Sequence, residues 1–470
     1  MGFIQSLSLY KCFIQLCSIQ VHPVCGQCKS AERDADCEYV HGQKRARAEI
    51  LQENIDQIKR RIYELEHPDL NHQPTVVLQQ PYQSGTVGSP LQSSIDYAQW
   101  VSDEPPRDMV QKLVDFFLAY SSEVGFFLNA SRFRESALLR HPRGHPSRPS
   151  PALLWTVYLW GLRLSKQPEL IALEPVFLSR ALNLAGNGLS GLHPQKVMHT
   201  LQAEILVAYY FFASGRFLEG KYHTASAVSL ALSSGLHMIR SANIPSSVLP
   251  PSQDAIEEGE RIHACWAVII LDRSWAAVLG EQAHLEHRQQ IDTPWPLEAD
   301  DYGKGLLTRT ALYSNTLHES LDSIPTSDTG MSTIAMLSKA SVLWQRADVL
   351  ARDWLPDMTS SQSTAFQDSF DILDGNVDSF RTALIQPHHI PNLTSAMVRA
   401  VIVAHSIAHT ATIKLQSIAP LHAEPGARQK RLVAATAVLN IIVSAPLQHL
   451  GFINPIMGVR WTNRISTFRS

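Results

Sequence analysis

Two apolar repeats of different length organise this chain. Leu51, Ile55, Ile58, Ile62 and Leu65 recur at alternating spacings of four and three. That is the seam of a two-stranded coiled coil, with Ile55 and Ile62 at a and Leu51, Ile58 and Leu65 at d. Arg61 at g and Glu66 at the next e are placed to pair across a parallel dimer, and Pro68 ends the helix. From Pro106 the pattern stays helical. Met109, Leu113, Phe116 and Phe117 share a face, Gly125 breaks the run, and Phe126, Phe127, Leu128 and Phe133 form an aromatic cluster. Leu153 to Leu164 is a further apolar helix. Val197, Leu201, Ile205, Ala208 and Phe212 form a stripe that stops at Gly215. A second helix is predicted from Glu219, with Tyr222, Ala225, Val228 and Leu232 inward and Gly235 as terminator. Two such helices across a short turn pack antiparallel. Ile262 to Leu279 is almost wholly apolar, so it must be central. Residues 291–297 (IDTPWPL) read as a rigid loop, and 331–355, 362–385, 393–416 and 428–445 as further helices. No strand pattern of comparable strength exists, which predicts an all-α body.

The repeats divide the chain into an atypical segment (1–20), a cysteine module (21–41), a basic linker with the coil (42–67), a linker rich in Gln, Ser, Pro and Asn (68–105) and the helical body (106–470). A length of 470 residues exceeds one core. The net charge of −3 provides no bulk attraction to nucleic acid, so any such contact must be local. Five of the six cysteines precede residue 40 and do not make a disulfide scaffold, which suits a reducing compartment and metal binding; Cys265, in an apolar run, reads as a core thiol. The first twenty residues are apolar, but Lys11 interrupts them and no basic segment leads them, so secretion is not expected. Asp272 and Arg273 interrupt the best candidate for a membrane span, so no membrane partner is expected.

Cys25, Cys28 and Cys37 follow a C-x2-C-x8-C spacing. A C-x2-C pair lets two thiolates grip one metal, and a third cysteine after a polar loop closes most of a tetrahedral zinc shell. Three free thiols in an arm remain the alternative. A basic connector (Lys44, Arg45, Arg47) and the coil follow, an order that suggests a DNA-binding dimer.

Here the chain resembles the fungal binuclear zinc-cluster transcription factors, in which six cysteines hold two zinc ions. PVCGQC…DCEY is similar to the second half of that module. The resemblance implies that Cys25 is the bridging fourth cysteine, Cys28 and Cys37 are the fifth and sixth, and Pro23 is the loop proline. Cys17 stands in as the third; Cys12 fits no position. It further implies DNA contacts at Lys29, Lys44, Arg45 and Arg47, a homodimer through residues 48–66, a bound zinc and nuclear residence. The first half departs from the family: residues 1–20 contain no C-x2-C pair and few cations. Five cysteines cannot supply the eight metal–sulfur bonds of a two-zinc cluster without His22, His41 or water. Residues 1–20 therefore read as a replaced or mis-joined first segment that weakens DNA binding. The stretches GRFLEGKYHTASAVSLALSSGLH, ERIHACWAVIILDRSWA and IDTPWPL resemble the helical regulatory domain of the same family, from about Asp108 to Trp461. The expected function is a zinc-dependent, sequence-specific regulator of RNA polymerase II genes whose body admits a small-molecule effector. The alternative is a dimerising all-α interaction protein that does not bind DNA.

Other constellations yield to plainer readings. Gly215-x4-Gly220-Lys221 lacks the hydroxyl residue and the preceding strand of a phosphate loop. His405 and His409 have the spacing for zinc on one helix face but no third ligand. His284 with His287, and His388 with His389, read as surface residues. Glu257, Glu258 and Glu260 sit at a helix start, where the macrodipole favours negative charge. Asp272 and Arg273 read as buried ion pairs to neighbouring helices or as the lining of an effector pocket. No catalytic constellation emerges, so no enzyme is expected.

Overall fold

The computed structural model describes residues 104–241, 249–286, 289–307, 312–313, 315–317, 330–384, 394–418, 424–444 and 451–458, with Gln52, Asp56 and Lys59. The chain divides into two units, Met1–Ser93 and Ser94–Ser470. In the first, Gln52, Asp56 and Lys59 are helical and exposed, and the Gln52 amide donates to Asp56 across one turn (3.1 Å). They lie within the expected coil, whose seam residues Leu51, Ile55, Ile58, Ile62 and Leu65 lie outside the described residues.

The second unit is built of helices: α1 Arg107–Leu118, α2 Ala130–Ala137, α3 Pro151–Leu164, α4 Pro168–Ile171, α5 Glu174–Gly186, α6 Lys196–Ala213, α7 Phe217–Ser233, α8 Ala255–Leu279, α9 Ala299–Gly303, α10 Thr333–Asp353, α11 Ser360–Ala383, α12 Ser395–Leu415 and α13 Pro425–Ser444. Among the described residues the only β pairing is the isolated bridge Ser241–Tyr313. The all-α expectation holds. Helix starts follow from local chemistry. Asn129, Ser150, Asp254, Ser332, Thr359 and Thr394 each accept a backbone N–H of the first turn of α2, α3, α8, α10, α11 and α12.

α3 packs on α1, α5 and α6, while α10 and α12 form the main pair of the other half. α8 contacts α6, α7 and α10 and joins the two halves. Its residues from Ile262 to Ala277 are buried, as its composition required. α8 and α12 are long and apolar enough to cross a membrane, but the apolar window of α8 is 83% buried inside the body, as befits a core helix. At the α1–α3 crossing Gly161 is obligatory, since a Cβ there would meet the backbone of Leu113.

α7 departs from expectation. It starts at Phe217, and its inward face is Gly220, His223, Thr224, Ala227, Val228 and Ala231. Tyr222, expected inside, is 71% exposed. Closeness to α6 decides the face. A Cβ at Gly220 would lie 2.6 Å from the Phe212 ring, so only small residues fit, and the bulky tyrosine turns outward. His223 then meets the buried Glu204 of α6 at 2.7 Å.

The ends of this unit are tied by buried charge. Glu123, after α1, accepts from Arg399 Nε of α12 (2.9 Å) and from the Asn454 backbone (3.0 Å). Arg399 Nη2 also donates to the Ala119 carbonyl (3.1 Å). Burial pushes the Glu123 carboxyl up, and the Arg399 guanidinium opposes that.

Candidate functional site

The expected zinc ligands Cys17, Cys25, Cys28 and Cys37, and the expected DNA contacts Lys29, Lys44, Arg45 and Arg47, lie outside the described residues. In the body, the strongest polar anomaly of the sequence is the Asp272–Arg273 pair inside α8. Both are buried, at 1% and 3% exposure. Among the described residues they form no ion pairs to neighbouring helices, contrary to the first of the two readings above. Asp272 accepts the backbone N–H of His284 and Leu285 and the His284 ring Nδ1, all at 2.9 Å. Arg273 donates to the Glu286 carbonyl (3.0 Å) and the Gln345 side chain (3.4 Å), and burial pulls its pKa down. The two side chains thus staple the segment after α8 back onto the helix, and His284, expected to be a plain surface residue, closes over Asp272. Charge-assisted bonds to backbone N–H groups satisfy a buried carboxylate without a cation.

The same segment leads into 291–297. Trp295 stacks on Trp266 of α8 (4.1 Å between centroids), and Trp266 Nε1 donates to the Pro294 carbonyl (2.7 Å). Asp292 accepts from Gln290 and from the Asn315 backbone (2.8 Å), and Thr293 binds the Leu236 carbonyl. His263 bonds to the Leu297 carbonyl (2.8 Å), and burial lowers its pKa to about 4. Burial raises the Cys265 thiol to about 12, so it is the core thiol expected of it.

Beside Asp272 the second reading, an effector pocket, is also corrected. Its void holds only about 10 Å³, room for one water, and Trp275 Nε1 in its wall has no hydrogen-bond partner among the described residues. The larger space lies elsewhere. An open cleft of about 490 Å³ is lined by Phe212 and Ala213 of α6, Gly215, Phe217 of α7, Val278 and Leu279 of α8, and Phe452, Pro455 and Gly458. Such a volume suits a small molecule. One cation, Arg163 of α3, stands at its edge. It bonds to Ser214 Oγ (2.8 Å) and the Ala213 carbonyl (3.2 Å), lies 4.9 Å over the Tyr210 ring, and faces Glu174 at 3.6 Å. Because Glu174 offsets that charge, the cleft is suited to apolar ligands rather than anions. Its residues come from helices far apart in the chain, so no sequence spacing announced it.

The weaker constellations resolve plainly. Gly215, with φ of 72°, makes the turn from α6 to α7, and Lys221 pairs with Glu281. His405 and His409 are buried on α12, and burial, with Arg381 and His405 nearby, lowers the His409 pKa to about 4. Among the described residues no three His, Cys, Asp or Glu are grouped to hold a metal. Glu257 binds Arg261, Glu258 binds Arg240, and Glu260 accepts the Asn129 N–H, so that cluster serves the fold.

No curated protein and no solved structure matches this chain. The family of the fungal specific transcription factor domain matches residues 114–386, from within α1 to just beyond α11. The match contains the His223–Glu204 contact between α7 and α6, the buried Asp272–Arg273 pair and the clamped 291–297 loop. It spans more than half of the 470 residues, and the chain therefore belongs to the fungal specific transcription factor domain family.

Proposed function

We propose that this chain is a zinc-dependent, sequence-specific DNA-binding regulator of RNA polymerase II genes in the nucleus, dimerising through residues 48–66. The observation that carries this reading is the family match, which makes the body a transcription-factor domain. The cysteine spacing and the 51–65 heptads supply the rest. The donor set fits one zinc: Cys17, Cys25, Cys28 and Cys37 are four thiolates, the number a closed tetrahedral site takes. It does not fit the six-cysteine, two-zinc arrangement. A bound zinc would cross-link the arm and hold its loop in one shape. Lys29, Lys44, Arg45 and Arg47 then meet phosphates, and the coil sets the distance between two half-sites. The body supplies control rather than chemistry, with the 490 Å³ cleft as the port for an apolar effector. We assign no enzymatic activity.

The test is a zinc titration of the full chain followed by selection from random duplexes. One zinc per chain and retention of a defined sequence are expected. Four phosphate-contacting cations per protomer predict a log–log salt slope of about −4 per protomer. Zinc binding without sequence selection refutes this reading and favours the second, a dimerising interaction protein without DNA contact. That second reading draws on the absence of a C-x2-C pair within residues 1–20.

A further inference from the structure

The loop between α2 and α3, residues 138–150, carries Arg140, Arg143 and Arg148 with His141 and His145, and no acid. On the adjoining α2 the arginines are matched: Arg132 meets Asp254 and Arg134 meets Asp115. Arg140 and Arg143 are exposed, and among the described residues neither has an ionic or hydrogen-bond partner. The loop itself is firmly held. Arg148, at 6% exposure, donates to the His141 carbonyl (2.9 Å) and the Ala137 carbonyl (3.2 Å) and pairs with Glu104. Arg107 of α1 donates to the Leu138 carbonyl (3.0 Å), which brings a further exposed cation beside the loop. The His145 N–H bonds to the Pro142 carbonyl (3.2 Å) and Gly144 takes a φ of 83°, closing a turn in which the His141 and His145 rings lie parallel, 4.0 Å apart. His145 Nδ1 accepts the Ser147 N–H (3.2 Å), so the proton of its neutral ring sits on Nε2.

We propose that this loop is a sequence-independent contact for the phosphates of duplex DNA, supplied by the helical body in addition to the cysteine module. The donor set comes first: two unpaired guanidinium forks with two imidazoles match phosphate oxygens. The exposed acids nearest in sequence, Asp108 and Glu135, are outnumbered by Arg107, Arg140 and Arg143. Because the whole chain carries a net charge of −3, an attraction to nucleic acid has to be local, as it is here. Rigidity comes second, since a loop already held in one shape loses little freedom on binding. The third observation separates DNA from an acidic protein. Within 138–148 the only exposed large apolar side chain is Leu139, at 41%. A protein partner needs a buried apolar centre, whereas a phosphate backbone is held by charge and donors alone. The choice of DNA among phosphate polyanions rests on the DNA-binding reading above. Phosphate contacts carry no sequence information, so the loop adds affinity and not selectivity. Two added contacts steepen the salt slope of the zinc-loaded chain from about −4 to about −6 per protomer.

Fluorescence anisotropy of the full chain on a labelled random-sequence duplex, with a metal chelator present and salt varied, tests this apart from the zinc-dependent reading. Arg140→Gln/Arg143→Gln is expected to weaken binding at least about tenfold at about 0.1 M salt and to flatten the slope by about 2 per chain, with unchanged helix content and urea midpoint. Arg140→Lys/Arg143→Lys should keep the wild-type slope. Arg216→Gln/Lys304→Gln removes the same charge from cations paired with Glu219 and Asp301, and should leave affinity and slope as they are. Wild-type affinity and slope in the Arg140/Arg143 glutamine variant overturn the proposal. An equal loss in the paired-cation variant does so too, since net charge alone would then be responsible. Tighter binding to polyglutamate or to phosphatidylglycerol vesicles than to the duplex overturns DNA as the partner. Sequence selection by the zinc-loaded chain enters none of these readouts, so either reading can fail alone.

Discussion

Replacing Arg399 with methionine isolates the electrostatic clamp that joins α12 to the two ends of the body. In the wild type Glu123, at 3% exposure, faces the guanidinium at 2.9 Å. Methionine keeps much of the volume and removes the cation. Glu123 then retains the Asn454 N–H but no positive partner. Removing one member of a buried pair costs about 3–5 kcal/mol. An independent ceiling comes from protonation. Burial already pushes this carboxyl up, and without Arg399 it rises further until the neutral form is favoured. Neutralising a carboxyl of ordinary pKa near 4.3 at pH 7 costs about 3.7 kcal/mol, so the part of the loss that comes from stranding the Glu123 charge should approach but not exceed that value. The sign of the pH dependence follows. In the variant the folded pKa lies above the unfolded one, so the folded state binds the extra proton. The penalty relative to wild type shrinks as pH falls, by at most about 1.4 kcal/mol per unit while the wild-type carboxyl stays ionised. The assay is equilibrium urea unfolding followed by tryptophan fluorescence, with far-UV circular dichroism to test that the transitions coincide. Glu123→Leu/Arg399→Met should recover most of the loss, because neither charge is then stranded. A single-variant penalty below about 1 kcal/mol at pH 7, or one that does not change between pH 7 and pH 5, would refute this account of the clamp.

Acid should destabilise the body through its buried histidines. Burial lowers His199 to about 3 and His263 and His409 to about 4, so each folds neutral and protonates on unfolding. Their contribution is complete above the unfolded value near 6.5 and is lost as pH falls below it, by up to about 1.4 kcal/mol per unit each; a urea midpoint that stays flat from pH 7 to pH 5 contradicts this. Gly161→Ala should cost about 1–3 kcal/mol, since the new methyl meets the Leu113 backbone and α1 must shift; a thermal midpoint equal to wild type would show that the crossing yields freely. Phe452→Asp, at the rim of the 490 Å³ cleft, should reduce binding of an apolar fluorescent probe without altering helix content, and equal probe affinity would place the probe elsewhere.

The period of the apolar positions was enough for an all-α body, and the composition of Ile262–Leu279 was enough to make it a core helix, because a segment apolar on every side has nowhere to go but inside. Burial of Asp272 and Arg273 was legible for the same reason. Their partners were not, because these are mainly backbone groups of His284, Leu285 and Glu286, and a backbone N–H or carbonyl has no signature in sequence. The face of α7 was misjudged by weighting apolar bulk. Tyr222 is outside because the approach of Phe212 to Gly220 leaves no space for a ring. The Glu123–Arg399 clamp joins residues 276 positions apart, and the cleft draws on four helices and the 452–458 segment. Periodicity reports which side of a helix avoids water; which neighbour meets that side, at what distance and with which unpaired groups, depends on chain closure over hundreds of residues, and only the tertiary structure decides it.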